Sequence, residues 1–126
     1  MDIMKLSIVA PSGEIFNNNA KSIVLPGKDG EFGVLPKHVS LVSFLTVGVI
    51  EIEKEDSSKE LVAINWGYVK ISEEMVDILV DSAISLNADK NSDIAVNIEK
   101  AQKLVNSVEN SNISLASVNA KINSIL

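Results

Sequence analysis

The chain has 126 residues, 46% of them hydrophobic, which is enough for one domain with a small appendage around a real core. It contains no cysteine, so disulfides and thiolate metal sites are excluded, and any metal would need oxygen ligands and the single histidine, His38. Its 17 acidic and 11 basic residues give a net charge of -6, and every basic residue is lysine; this argues against nucleic acid, whose phosphates are usually met by a basic patch and by arginine's planar fork.

The first residues, MDIMKLSIVAPSG, lack a basic stretch followed by a long apolar run and do not read as a signal peptide. Turn chemistry follows at Pro11-Ser12-Gly13, Asn17 to Asn19, Pro26-Gly27 and Asp29-Gly30, with short apolar runs between. Phe32, Val34 and Leu35 read as strand. The most apolar window, Val39 to Ile50, is broken by Ser40, Ser43, Thr46 and Gly48 and falls short of the ~20 residues that span a bilayer, so any membrane attachment runs through a partner. Val47, Val49, Ile50 and Ile52 interleave with Gly48, Glu51 and Glu53, another strand pattern.

Further turns are predicted at Glu55 to Lys59 and at Ser72 to Glu74, and Met75, Ile78 and Val80 form the next strand-like run. The carboxylates Glu51, Glu53, Glu55, Asp56 and Glu60 straddle the first of these turns and read as a solvated hairpin edge. Breaks at intervals of roughly 8 to 12 residues predict an antiparallel β-sandwich or barrel up to residue 86.

From Asn87 the period changes. Ile94, Ile98, Ala101, Val105 and Val108 are spaced 4, 3, 4 and 3, and Leu115, Val118, Ile122 and Ile125 are spaced 3, 4 and 3, so each set forms one helical stripe. Asn110-Ser111-Asn112 is the hinge between them, with Asn112 as cap. The expected architecture is therefore β + α: an antiparallel β-sandwich over 1–86 and an antiparallel two-helix hairpin over 87–126, with Asn87 to Ser92 at the boundary.

Residues 25–38, LPGKDGEFGVLPKH, concentrate glycine, proline and charge. They do not form a P-loop, because Lys28 lies inside the turn and the residues after it read as strand where a helix should begin. The dinucleotide fingerprint also fails, since Gly27, Gly30 and Gly33 are each three apart. Asp89-Lys-Asn91-Ser-Asp93 opens like an EF-hand loop, but Ile94 stands where glycine is needed and Lys100 where a bidentate glutamate is needed. His38 has no nucleophilic serine in a recognisable elbow, so catalysis is not expected, and neither a nucleotide, a metal nor any other cofactor is expected. What remains is a glycine-shaped loop that presents Glu31 and His38 to another protein. A freestanding sandwich that binds a peptide or a sugar is the alternative of a different class.

The stretch LPGKDGEFGVLPKH resembles the signature of the epsilon subunit of bacterial F-type ATP synthases: a Leu-Pro-Gly turn, Gly-Glu-x-Gly and Pro-Gly-His. SIVAPSGEIF, LTVGVIEI, INWGYVKI and VDILVDSA follow the family's order and spacing, so the similarity covers residues 3 to about 86, and the hairpin by length and topology. The resemblance implies a non-catalytic rotor subunit in the central stalk, peripheral on the cytoplasmic face of the bacterial inner membrane, in a proton-translocating complex. Its implied partners are the gamma subunit, the polar loops of the c-ring and, with the hairpin extended to regulate ATP hydrolysis, the beta subunit. It assigns Glu31, Phe32, Gly33 and His38 to the partner contact, and Gly27, Gly30 and Pro36 to shaping the loop. The sequence departs from the family pattern at Lys37 (usually glycine), at Val39-Ser40 (usually alanine-proline) and at Asn65-Trp66 (usually a small residue and glycine). Trp66 is expected at an edge of the sandwich or against gamma. The family's helix motif for ATP, Ile/Leu-Asp-x-x-Arg-Ala, is absent after Ile94.

Overall fold

The computed structural model describes residues 3–86, 99–100, 102–104 and 122. Nine strands run in order: β1 (Met4–Ala10), β2 (Gly13–Gly27), β3 (Gly30–Val34), β4 (Leu41–Leu45), β5 (Gly48–Lys54), β6 (Lys59–Ile64), β7 (Gly67–Ile71), β8 (Met75–Val80) and β9 (Ala83–Ser85). Their hydrogen-bonded order is β1-β8-β7-β4-β2-β5-β6-β9, with β3 on β2 and β1 also on β2. The long β2 is thus shared by two layers, β2-β1-β8-β7-β4 and β3-β2-β5-β6-β9. Bulges at Ile15 and Lys21, where the β1 and β5 registers each slip by one residue, let so long a strand bend between them.

Alternation sends one parity of each strand inward. β7 buries Gly67, Val69 and Ile71 and exposes Tyr68 and Lys70, and β8 buries Val76, Ile78 and Val80. With Leu6, Ile8, Ile23, Leu25, Ile50, Ile52 and Ile64 these make a single core, each large side chain contributing about 1.5–3 kcal/mol. Among the described residues no polar or charged side chain is buried.

Three local expectations change. Asn17 to Asn19 do not turn but lie within β2, opposite Ser7, Leu6 and Lys5. Pairing with β1 outweighs their turn propensity, because the flanking Phe16 and Ala20 are buried and only a continuous strand seats both. Pro26-Gly27 is the closing end of the β2–β3 ladder, with the turn confined to Lys28-Asp29. The sandwich is also not wholly antiparallel, since β1 pairs parallel to β8. Both strands run the same way because the chain crosses between layers before β8 returns beside β1.

Leu86 ends the sandwich: it is buried, and its N–H bonds the Leu61 carbonyl at 2.8 Å. Glu99, Lys100, Gln102, Lys103, Leu104 and Ile122 are helical, and Ile122 is fully buried. The other stripe residues, Ile94, Ile98, Ala101, Val105, Val108, Leu115, Val118 and Ile125, lie outside the described residues, as do the hinge and the Asp89 loop.

Candidate functional site

The β2–β3 hairpin is tight because two glycines allow it. Gly27 pairs with Gly30 across the Lys28-Asp29 turn, and Gly30 adopts φ 122°, a conformation that side-chain-bearing residues rarely take. A Cβ on Gly27 would lie 2.7 Å from the Gly30 carbonyl oxygen and 2.7 Å from the Phe32 ring. Glu31 is then held opposite Pro26 and exposed, while Phe32 packs half-buried against the core. Gly33, by contrast, lies in extended β3, where an added Cβ meets only the Ile23 carbonyl at 3.9 Å, so the loop's shape does not depend on it.

Beyond β3, the His38 N–H donates to the Leu35 carbonyl at 3.1 Å, closing a four-residue turn with Pro36 and Lys37 at its centre. Lys37 takes φ 66°, so the turn is type II, with proline pre-set at its first central position and a left-handed residue at its second. The Lys37 N–H donates to the Glu73 carbonyl at 3.1 Å and ties this loop to the β7–β8 turn. His38 Nδ1 lies 2.7 Å from the Val39 carbonyl, which can only accept, so Nδ1 carries a proton and donates it. That bond orients the ring through the backbone; no serine hydroxyl takes part in it.

The carboxylate cluster forms the predicted hairpin tip. Lys54 pairs with Glu60 at 3.3 Å and Lys59 with Glu51 at 3.9 Å, while the Ser58 N–H donates to Asp56 Oδ1 at 2.9 Å. The Ser58 hydroxyl and N–H bonds hold the Asp56 carboxyl below its ordinary range.

A second surface was missed in the sequence. On the outer face of β4-β7-β8, Phe44 lies opposite Tyr68, and Tyr68 opposite Leu79. These three are 70%, 39% and 42% exposed, forming one apolar row beside exposed Val42. Val42, Ser43, Phe44 and Tyr68 line a hollow of about 280 Å³. The available signal was that β4 is apolar on both parities and that Tyr68 and Leu79 occupy polar-parity positions, but only the register aligns them. A solvent-facing sheet would carry polar residues there; a contiguous apolar row marks an interaction face.

Residues 3–86 match the family described as ATP synthase, Delta/Epsilon chain, beta-sandwich domain. The ATP synthase epsilon chain of Aliarcobacter butzleri is 67% identical over 98% of this chain and 98% of its own length. The chain belongs to the ATP synthase epsilon family. The epsilon chain of Nitratiruptor is 50% identical over 97% of this chain and 95% of its own length. The same fold occurs in a chain of the Euglena gracilis mitochondrial ATP synthase, OSCP/F1/c-ring, with TM-score 0.65 and 22% identity over 96% of this chain and 73% of that one. It also occurs in a chain of the Tetrahymena thermophila mitochondrial ATP synthase central stalk and c-ring, with TM-score 0.56 and 18% identity over 97% and 89%. An epsilon chain is a subunit of the synthase and not its catalytic subunit. Among the described residues no helix is long and apolar enough to cross a membrane.

Proposed function

We propose that this chain is a rotor subunit that joins the gamma subunit to the c-ring of a proton-translocating ATP synthase, peripheral on the cytoplasmic face of the bacterial membrane. The observation that carries this reading is the apolar row Phe44–Tyr68–Leu79, which suits permanent packing against gamma, whereas the loop bearing Glu31, Phe32, Gly33 and His38 is small and tightly turned and suits the c-ring's polar loops. Gly27 and Gly30 form the tight end of this loop, and Pro36 starts its second turn.

Residues 1–86 form the assembling domain in this reading, and 87–126 a regulatory hairpin that meets the beta subunit when extended. Helical Glu99, Lys100, Gln102, Lys103 and Leu104, with fully buried Ile122, agree with an apolar stripe folded away from water. Inhibition by such a hairpin is weak and little affected by salt. Its lysines, Lys90, Lys100, Lys103 and Lys121, are matched in number by Asp89, Asp93, Glu99 and Glu109, and exposed single pairs contribute about 1 kcal/mol or less. It does not bind ATP tightly, having no arginine to grip a triphosphate and only lysines as point charges.

The deciding experiment is ATP-driven proton pumping and ATP hydrolysis by the reconstituted complex with the full chain, without residues 87–126, and with no chain. Pumping that survives the truncation and fails without the chain supports the reading. A folded truncated chain that does not assemble overturns the division into domains, and unchanged pumping without any chain overturns the coupling role.

A further inference from the structure

Trp66, the chain's only tryptophan, lies in the turn between β6 and β7 and is 54% exposed. The turn around it is nevertheless held from several directions. Asn65 Oδ1 accepts the N–H of Trp66 at 2.9 Å and the N–H of Ser82 at 2.9 Å, while Asn65 Nδ2 donates to Asp81 Oδ2 at 2.8 Å. The amide therefore binds its own turn to the β8–β9 turn with both ends used. The Asp81 N–H donates to the Trp66 carbonyl at 3.1 Å, which adds a rung to the β7–β8 ladder beyond Gly67–Val80.

That rung gives Trp66 the outward parity of Tyr68 and Lys70, one row beyond Phe44–Tyr68–Leu79. On the next position, a Cβ at Gly67 would lie 2.3 Å from the Leu79 carbonyl oxygen, so the backbone beside Trp66 is pressed against β8. A more than half-exposed indole on an over-determined turn is held rigidly while much of its apolar area faces water. Such rigid aromatics bind partners at low ordering cost and dominate interface energetics.

We propose that Trp66 is the specificity-determining anchor of the gamma contact and that Asn65 is its positioning residue. This rests on the reading that the outer face of β4-β7-β8 packs on gamma, with which Trp66 is continuous. The indole then enters an apolar recess in the gamma subunit, its ring N–H meeting an acceptor at the rim. A gamma subunit without that recess binds this chain poorly, so the anchor selects the cognate partner from otherwise similar ones.

The test uses the full chain and the same organism's F1 complex stripped of this subunit. Affinity and thermal midpoint are measured for the native chain and for Trp66→Ala, Trp66→Phe, Asn65→Ala and Phe44→Asp. In parallel, 5-fluorotryptophan incorporated at Trp66 reports its solvent contact through the H2O/D2O shift of its fluorine resonance. The expected results are a loss of about tenfold or more for Trp66→Ala with an unchanged midpoint, recovery of most of that loss by Trp66→Phe, and disappearance of the solvent shift in the complex. Asn65→Ala lowers affinity through faster dissociation although Trp66 is present.

Native affinity for Trp66→Ala combined with lost binding for Phe44→Asp overturns the anchor and leaves the gamma reading standing. Native affinity for a folded Phe44→Asp overturns the gamma reading itself. A retained solvent shift in the complex overturns the buried indole, and an Asn65→Ala variant that loses thermal stability without any change in dissociation overturns the positioning role.

Discussion

Lys37 donates its backbone N–H to the carbonyl of Glu73 at 3.1 Å while holding φ 66°, so the bond that ties the loop to the β7–β8 turn depends on a left-handed lysine. A left-handed residue with a Cβ costs about 1–2 kcal/mol, and the extra freedom glycine gains in the unfolded chain offsets about half of that. Lys37→Gly is therefore expected to raise unfolding stability by about 0.5–1 kcal/mol, read from urea midpoints at unchanged slope. A destabilised Lys37→Gly would mean that contacts of the lysine side chain outweigh the strain.

Two glycines should respond in opposite directions. Gly67→Ala forces a Cβ to 2.3 Å from a backbone oxygen and is expected to cost about 1–3 kcal/mol or to shift β7 off β8. Gly33→Ala meets only an ordinary contact in extended backbone and is expected to be neutral or to gain up to about 1 kcal/mol. Thermal denaturation of the two variants side by side checks the pair.

Glu31 is exposed and the ring of His38 bonds a neighbouring carbonyl, so neither supports the core. Alanine at Glu31 is expected to change stability by less than about 0.5 kcal/mol, and at His38 by about 1 kcal/mol at most. Both should lower ATP-driven proton pumping in reconstituted vesicles. Unaltered pumping with a large stability loss would make the loop structural.

The Asp56 carboxyl is held below its usual value of 3.8 first by the Ser58 hydroxyl and then by the Ser58 N–H. Because the folded-state value is depressed, the resulting stability is present above the unfolded value and is lost as pH falls through the folded one. Asp56→Asn is thus expected to be slightly less stable than the native chain at neutral pH and equal to it in strong acid. Urea midpoints at pH 7 and pH 2 test this; a gap that persists at pH 2 would assign the effect to geometry and not to charge.

The family was legible in LPGKDGEFGVLPKH and in the order of the strand motifs, and most strands were legible in alternation and turn chemistry. The reason is that glycine conformations, proline turns and the two-residue period are properties of neighbouring residues along the chain. Asp29, Glu55 to Ser58 and Ser72 to Glu74 lie in turns where their chemistry says, although Gly30 and Lys59 already open β3 and β6, and β5 and β8 follow their own patterns. Other features belong to strands distant in sequence. Asn17 to Asn19 extend because β1 pairs with them, and β1 lies parallel to β8 because the chain crosses between layers first. Phe44, Tyr68 and Leu79 are separately unremarkable apolar residues, and they become one face only because the β4–β7 and β7–β8 registers set them side by side. Local pattern decides which way a side chain points; which side chains stand together is decided by long-range pairing, and the proposed assembly surface is made of that second kind of information.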